Sequence, residues 1–197
     1  MSRHVAVDVA LIPPDRIKKA AIAANRRLVR SGNTDIILNG HDCLPHITLA
    51  MGCVKKSGLA AVRELLADIA GRYGKMALTI KPQRSGKAWM PIINTPELQT
   101  LHETVMSGML GFYFSGAAEG MFYSKKGRRI AAMTIDYVRS FPHQSAFGNF
   151  RPHITVASGD IGVAHPAYDF AASKLALCRL GNFCTCAKIM AVWPLGA

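Results

Sequence analysis

"LPHITLAMG" (Leu44 to Gly52) and "FRPHITVASG" (Phe150 to Gly159) share four residues, Pro-His-Ile-Thr, each time followed by an aliphatic residue and an alanine. In a strand, side chains two apart share a face. His46 and Thr48 therefore point one way, and Pro45, Ile47 and Leu49 the other. His153 and Thr155 repeat this against Pro152, Ile154 and Val156. Each motif has an apolar side for packing and a polar side carrying an imidazole and a hydroxyl. Two such strands set side by side across a pseudo-twofold axis would turn two imidazoles and two hydroxyls into one cleft. A lone His-x-Thr reads as a half-buried strand histidine; two copies with matching neighbours read as a functional pattern.

Around the motifs, periodicity predicts the elements. "HVAVDVALI" is a valine-rich first strand, interrupted by Asp8 and closed by Pro13 and Pro14. "PDRIKKAAIAANRRLVR" has helical spacing at Ile17, Ala20, Ala21, Ala24 and Leu28. "DIILNG" and "CLPHITLAMGCV" are strand-like. "SGLAAVRELLADIAGRYG" is a helix with Ser57 as its cap. "KMALTIKPQ" and "KAWMPII" form a hairpin through "RSGK". "TPELQTLHETVMSGML" is a helix capped by Thr95, with Pro96 at its first position. "RRIAAMTIDYV" is a strand, followed by the turn-rich "RSFPHQSAFGN". The tail gives "KLALCRL", a turn at Gly181-Asn182, and "FCTCAKIMAVWPL", with Cys184 and Cys186 on one strand face. This mixed order is α+β, and an internal duplication would explain the repeated motif.

Composition sets the surroundings. Half of the 197 residues are hydrophobic and 18% are charged, a globular balance. No apolar run reaches membrane-spanning length, and the start reads as a strand and not as a signal peptide. Against 12 Asp and Glu stand 24 Lys and Arg, a net charge of +12 that favours anionic partners. The five cysteines are odd in number and form no C-x-x-C pair. They read as small buried apolar groups in a reducing cytoplasm.

Two imidazoles facing one point suit phosphoryl chemistry. Histidine titrates near ~6.5, so at neutral pH one ring accepts a proton while the other donates one. Such acid–base help contributes about 10²–10⁴-fold per group. The hydroxyls of Thr48 and Thr155 would hold non-bridging phosphate oxygens. Arg151 shares the face of His153 and is the nearest cation for a phosphate; its counterpart in the first motif is Leu44.

Paired strands of this pattern resemble the two-histidine phosphoesterase superfamily, which includes 2′-5′ RNA ligases and cyclic phosphodiesterases of RNA and nucleotides. The resemblance covers most of the chain, from the opening strand and helix to the closing strand pair ending in "VWPL". It implies a bilobal α+β fold of duplicated β-α-β-type units, with two antiparallel sheets lining a central cleft. Residues 1–197 would be one domain of two pseudo-symmetric lobes. The implied activity is metal-independent opening of 2′,3′-cyclic phosphates on RNA ends or nucleotides, with 2′-5′ joining in some members and no cofactor. His46, Thr48, His153 and Thr155 are carried over as the site. Two stretches depart from compact members: "GFYFSGAAEGMFYSKKGRR" lengthens the gap between motifs, and "GDIGVAHPAYD" is short where relatives often have a helix.

Other groups are weighed against this site. His41, Asp42, Cys43 and His46 are too close in sequence to supply ligands from separate directions, so no metal site is expected. Phe150, Trp89, Tyr113, Phe122 and Tyr123 are candidates for stacking on a base. Lys125, Lys126, Arg128 and Arg129 form a basic loop suited to an RNA backbone. His4, His102, His143 and His165 have no matching partner and read as structural or exposed. A noncatalytic RNA- or nucleotide-binding module using the same cleft is the alternative. Binding alone would not need two imidazoles.

Overall fold

The computed structural model of the chain describes residues 2–84, 87–159 and 162–196; the Lys126 side chain also lies outside the description. The valine-rich opening is β1 (His4–Leu11), buried along nearly its whole length. After the two prolines comes α1 (Asp15–Arg30). It carries an acid in its first turn and Arg27 and Arg30 in its last, as the helix dipole favours. Ile17, Ala21, Ala24 and Leu28 form its buried stripe. The first motif feeds β2 (Ile47–Lys55), followed by α2 (Leu59–Arg72), β3 (Met76–Ile80) and β4 (Trp89–Pro91). Next is α3 (Pro96–Leu110), where Thr95 accepts the Leu98 N–H at 3.2 Å and Pro96 takes the first helical position. The rest is β5 (Tyr113–Phe114), α4 (Ala132–Gln144), β6 (His153–Thr155), β7 (Tyr168–Ala172), β8 (Lys174–Leu180) and β9 (Cys186–Pro194).

The fold is α+β, and every ladder is antiparallel. One sheet has five strands in the order β5-β2-β1-β8-β9. Two short ladders, β3-β7 and β4-β6, lie apart from it and are joined, among the described residues, by a bridge between Ile80 and Ile92. The first motif therefore sits in the large sheet and the second in the small ladders. One continuous apolar core runs beneath both, with Ile47, Leu49, Ile154 and Val156 fully buried. Each such side chain contributes about 1.5–3 kcal/mol of burial. The alternation predicted for the motifs holds: His46, Thr48, His153 and Thr155 are half-buried while the residues between them are buried.

Several local expectations are corrected. "RRIAAMTIDYV" is not a strand but the start of α4, burying Thr134, Val138 and Phe141 at helical spacing. Its cap is not local. Asn182, in the turn between β8 and β9, accepts the Ala131 N–H at 2.9 Å and the Thr134 hydroxyl at 3.0 Å. "DIILNG" is not a strand. Its backbone is occupied by the buried Asn25 of α1, which donates to the Ile36 carbonyl at 2.8 Å and accepts from Leu38 N–H at 2.9 Å. Ser57 lies in a 3₁₀ turn before α2 and makes no cap. β3 and β4 do not form a simple hairpin, because each pairs elsewhere; Ser85 and Gly86 of the connecting turn lie outside the described residues. The turn after β8 runs through Asn182–Cys184 in 3₁₀ geometry, so Cys184 lies in the turn and only Cys186 in β9.

Candidate active site

The first imidazole is placed by a fault in a strand pair. Along β1 and β2, Val9 faces Ala50 but Ala10 faces Thr48, so Leu49 is an extra residue in β2. This bulge lets His46 and Thr48, on one side of it, and Met51, on the other, line the same cleft. The second imidazole heads the short β6, opposite Pro91, with Thr155 opposite Trp89. The cleft holds about 380 Å³ and is lined by both histidines, both threonines, Arg151 and Trp89, among others. The two motifs thus meet in one place.

The two rings are fixed by the same local device. His46 Nδ1 donates to the carbonyl of Leu44 and His153 Nδ1 to that of Arg151, each at 2.7 Å and each two residues back. These bonds commit Nδ1 as the donor and leave Nε2 as the reactive nitrogen on both rings.

Their electrostatic settings are opposite. His46 Nε2 lies 3.1 Å from Oδ2 of Asp8, a fully buried carboxylate on β1, and the Thr48 hydroxyl donates to the same oxygen at 3.1 Å. Burial pulls the His46 pKa down, but the hydrogen bond and charge of Asp8 outweigh it, with help from the Leu44 carbonyl. The result lies above the usual value. For His153, burial dominates and the positive neighbours His46 and Lys87 add to it, against the Arg151 carbonyl; its pKa falls to about 4. No carboxylate lines the cleft among the described residues.

The Trp89 and His153 rings lie 4.3 Å apart, tilted by 45°, and the Lys87 ammonium sits 4.9 Å above the indole. Of the other proposed stackers, Phe150 lines the cleft. Tyr113 lies over Gly52 outside it, Phe122 is buried, and Tyr123 packs under Arg179. The cleft also takes Tyr137 and Phe141 from α4 and Phe183 from the β8–β9 turn. Sequence reading missed these because it took α4 for a strand and placed a two-residue turn after β8. Asp8 was visible as a charge within an apolar strand, but nothing local linked it to His46.

The basic loop forms a 3₁₀ turn at Lys125–Gly127. Lys125, Arg128 and Arg129 are exposed and none lines the cleft. Lys125 pairs with Asp42 at 2.6 Å, and Asp42 also accepts from Asn39. Lys126 belongs to the same turn, its side chain outside the described residues. Among the described residues no group of three or more His, Cys, Asp or Glu is placed to hold a metal ion. The cysteines are all free thiols. Burial, helped by nearby charge, pushes Cys43 and Cys184 up to about 12, and burial alone raises Cys53 to about 11. No helix among the described residues is long and apolar enough to cross a membrane.

A family model described as the 2′-5′ RNA ligase superfamily matches residues 13–178. The chain belongs to that superfamily. Solved structures agree at the level of fold. TT0787 of Thermus thermophilus superposes with a TM-score of 0.55 at 14% identity, covering 98% of this chain and 99% of its own. E. coli LigT in its apo form gives 0.52 at 16% identity, with both chains covered in full. LigT complexed with NADP+ gives 0.50 at 16%, covering 98% and 99%. No curated protein matches the chain. Membership of that superfamily supports a phosphoesterase or ligase-like enzyme.

Proposed function

We propose that this superfamily member opens 2′,3′-cyclic phosphates on RNA ends or nucleotides, with His153 as general base and His46 as general acid. The observation that carries the reading is the contrast between the rings. His46 leans on a buried carboxylate that favours its charged form, while His153 has none and burial favours its neutral form. Neutral His153 takes a proton at Nε2 from the attacking water. As the water oxygen bonds to phosphorus, a ribose oxygen leaves and takes the Nε2 proton of His46. With an RNA 5′-hydroxyl in place of water, the same two transfers join ends through a 2′-5′ bond. Both protons are handled by ring nitrogens, so the step asks for no metal or cofactor.

Thr155 and Arg151 suit the non-bridging oxygens, and Thr48 joins them by turning its hydroxyl from Asp8 to the phosphate. Trp89 and Phe150 suit a base, as the net charge of +12 suits an RNA or nucleotide partner. LigT, which shares the fold, has been crystallised with NADP+. This reading takes residues 1–197 as one domain of two pseudo-symmetric lobes, each giving one motif, and the free thiols as suited to a reducing cytoplasm.

Incubation with 2′,3′-cyclic nucleotides, with products separated by chromatography, tests it. Ring-opened monophosphate is expected from the native protein and about 10²–10⁴-fold more slowly from His46→Ala or His153→Ala. Tight RNA binding without turnover would replace it with the noncatalytic binding module.

A further inference from the structure

Asp8 is the least explained residue of the site. It lies in β1, opposite Met51 of β2 and Cys178 of β8, in the middle of the five-stranded sheet. A carboxylate there loses its water, so burying it is costly unless a partner offsets the loss. One oxygen, Oδ2, takes both His46 Nε2 and the Thr48 hydroxyl at 3.1 Å. The other, Oδ1, is buried with no hydrogen-bond partner. Packing alone would favour an apolar residue at this position. Asp8 is absent from the cleft lining, yet its Oδ2 meets His46 at Nε2, the edge of the ring that is not bonded to Leu44. The second motif has no counterpart: among the described residues no acid stands behind His153, which packs on Trp89 instead.

We propose that Asp8 is a positioning residue that holds His46 as the proton donor and sets the direction of proton flow between the two otherwise similar rings. It rests on the reading of His46 as the acid. The single Nε2 proton rests toward Oδ2, and a leaving oxygen on the same edge of the ring shares it with Oδ2 and draws it away. The other ionisable groups around His46 are His153 from β6, Lys87 and Arg151 at the cleft wall, Tyr137 from α4 and Cys184 from the β8–β9 turn. Burial foremost keeps the last two protonated and neutral, so Asp8 is the one anion, among the described residues, that faces the ring.

Asp8→Asn keeps the shape and removes the charge. The imidazole signals of His46, followed by NMR across pH, test the proposal without any substrate. In the native protein the midpoint is expected above ~6.5, and in Asp8→Asn below it, because burial, the largest influence, is then opposed by the Leu44 carbonyl alone. In the rate profile, the alkaline limb moves to lower pH. The loss in kcat/KM is at least about tenfold at pH 8 and shrinks toward pH 5. Above the midpoint, a tenfold weaker hold on the proton is a tenfold smaller protonated fraction. A purely structural defect would lower the whole profile without moving its limb. An unmoved His46 midpoint in folded Asp8→Asn overturns the proposal. So does a native midpoint at or below ~6.5, a measurement that stands even if the variant does not fold. If His46 shifts as expected but no cyclic phosphate is opened by native protein, the proposed activity fails and the Asp8–His46 coupling stands.

Discussion

The ring of His102 joins the two motifs: its Nδ1 donates to the Leu49 carbonyl at 2.6 Å, and its Nε2 accepts the Phe147 N–H at 2.7 Å. Leu49 is the bulged residue that sets His46 and Thr48 into the cleft. Phe147 begins the turn that leads to Phe150, whose ring stacks flat on His102 at 3.8 Å. Phe147 also holds a left-handed backbone, φ 53, uncommon for a bulky residue and sustained by these contacts. One fully buried neutral imidazole on α3 thus holds both halves of the site in register.

His102→Leu is therefore expected to cost more than an ordinary core change. It orphans the buried Leu49 carbonyl, at roughly 1–3 kcal/mol, and the part-buried Phe147 N–H as well. Urea unfolding reads the loss. Because the bulge and the turn both relax, kcat is expected to fall as well, though His102 is not in the cleft. Stability reduced by less than about 1 kcal/mol would show that the two bonds do not hold the motifs.

Stability should also fall in mild acid. His102, lowered mainly by burial, and His153, lowered to about 4, both carry depressed values in the fold. A depressed histidine contributes stability that is present above its unfolded value, ~6.5, and lost as pH falls toward the folded one. His46 has the opposite sign: its contribution is full below ~6.5 and lost as pH rises through its raised value. Unfolding free energy measured between pH 7 and 4 is expected to decline, and His153→Gln to make the decline shallower. An unchanged slope in that variant would contradict a depressed His153.

Removing either cleft imidazole should cost about 10²–10⁴-fold in kcat. The double change to alanine should be little worse than one, because groups that act as a unit are not additive. Thr155→Val should be milder, since it removes one hydrogen bond to phosphate and no proton. Steady-state kinetics on a cyclic nucleotide decides this. A double variant whose loss is the product of the two single losses would mean that the rings work independently.

How much of this was legible in the sequence depends on distance along the chain. The shared faces of His46 with Thr48 and of His153 with Thr155 were legible because strand alternation is a local rule. So was the Thr95 cap, whose acceptor and donor lie three residues apart. The elements that were misread are held from far away. α4 takes its cap from Asn182, and the Ile36–Leu38 stretch is tied to Asn25. The same Asn25 donates to Val156 at the end of the second motif over 2.7 Å, a tie no pattern announces. Asp8 was noticed as an interruption, but its partner lies on a neighbouring strand. Long-range polar bonds decide these cases, and short-range periodicity is blind to them.

The basic loop makes a weaker claim than the cleft. Arg128 and Arg129 are exposed and lie apart from the cleft lining, while Lys125 is engaged by Asp42. Replacing both arginines by glutamine should lower RNA affinity and flatten its salt dependence by about 0.7 per lost phosphate contact. Cleavage of a mononucleotide should be untouched. Filter binding at several salt concentrations gives the slope, and an unchanged slope would return the loop to a solvated turn.

Trp89 controls the base. Its ring lies against His153, and the water it excludes is part of the burial that holds His153 at about 4. In the native protein the rate should therefore rise through an acid limb at about 4, where His153 loses its proton. It should fall along an alkaline limb above ~6.5, where His46 loses its own. The limbs belong to the coupled pair, so mutation is needed to tell them apart. Trp89→Ala opens His153 to water, and its value should rise toward ~6.5. The acid limb then moves up in pH while the alkaline limb, set by Asp8 and His46, stays. Asp8→Asn should do the reverse. If Trp89→Ala moves the alkaline limb and leaves the acid limb in place, the alkaline limb belongs to His153, the ring against Trp89, and the roles assigned to the two histidines must be exchanged.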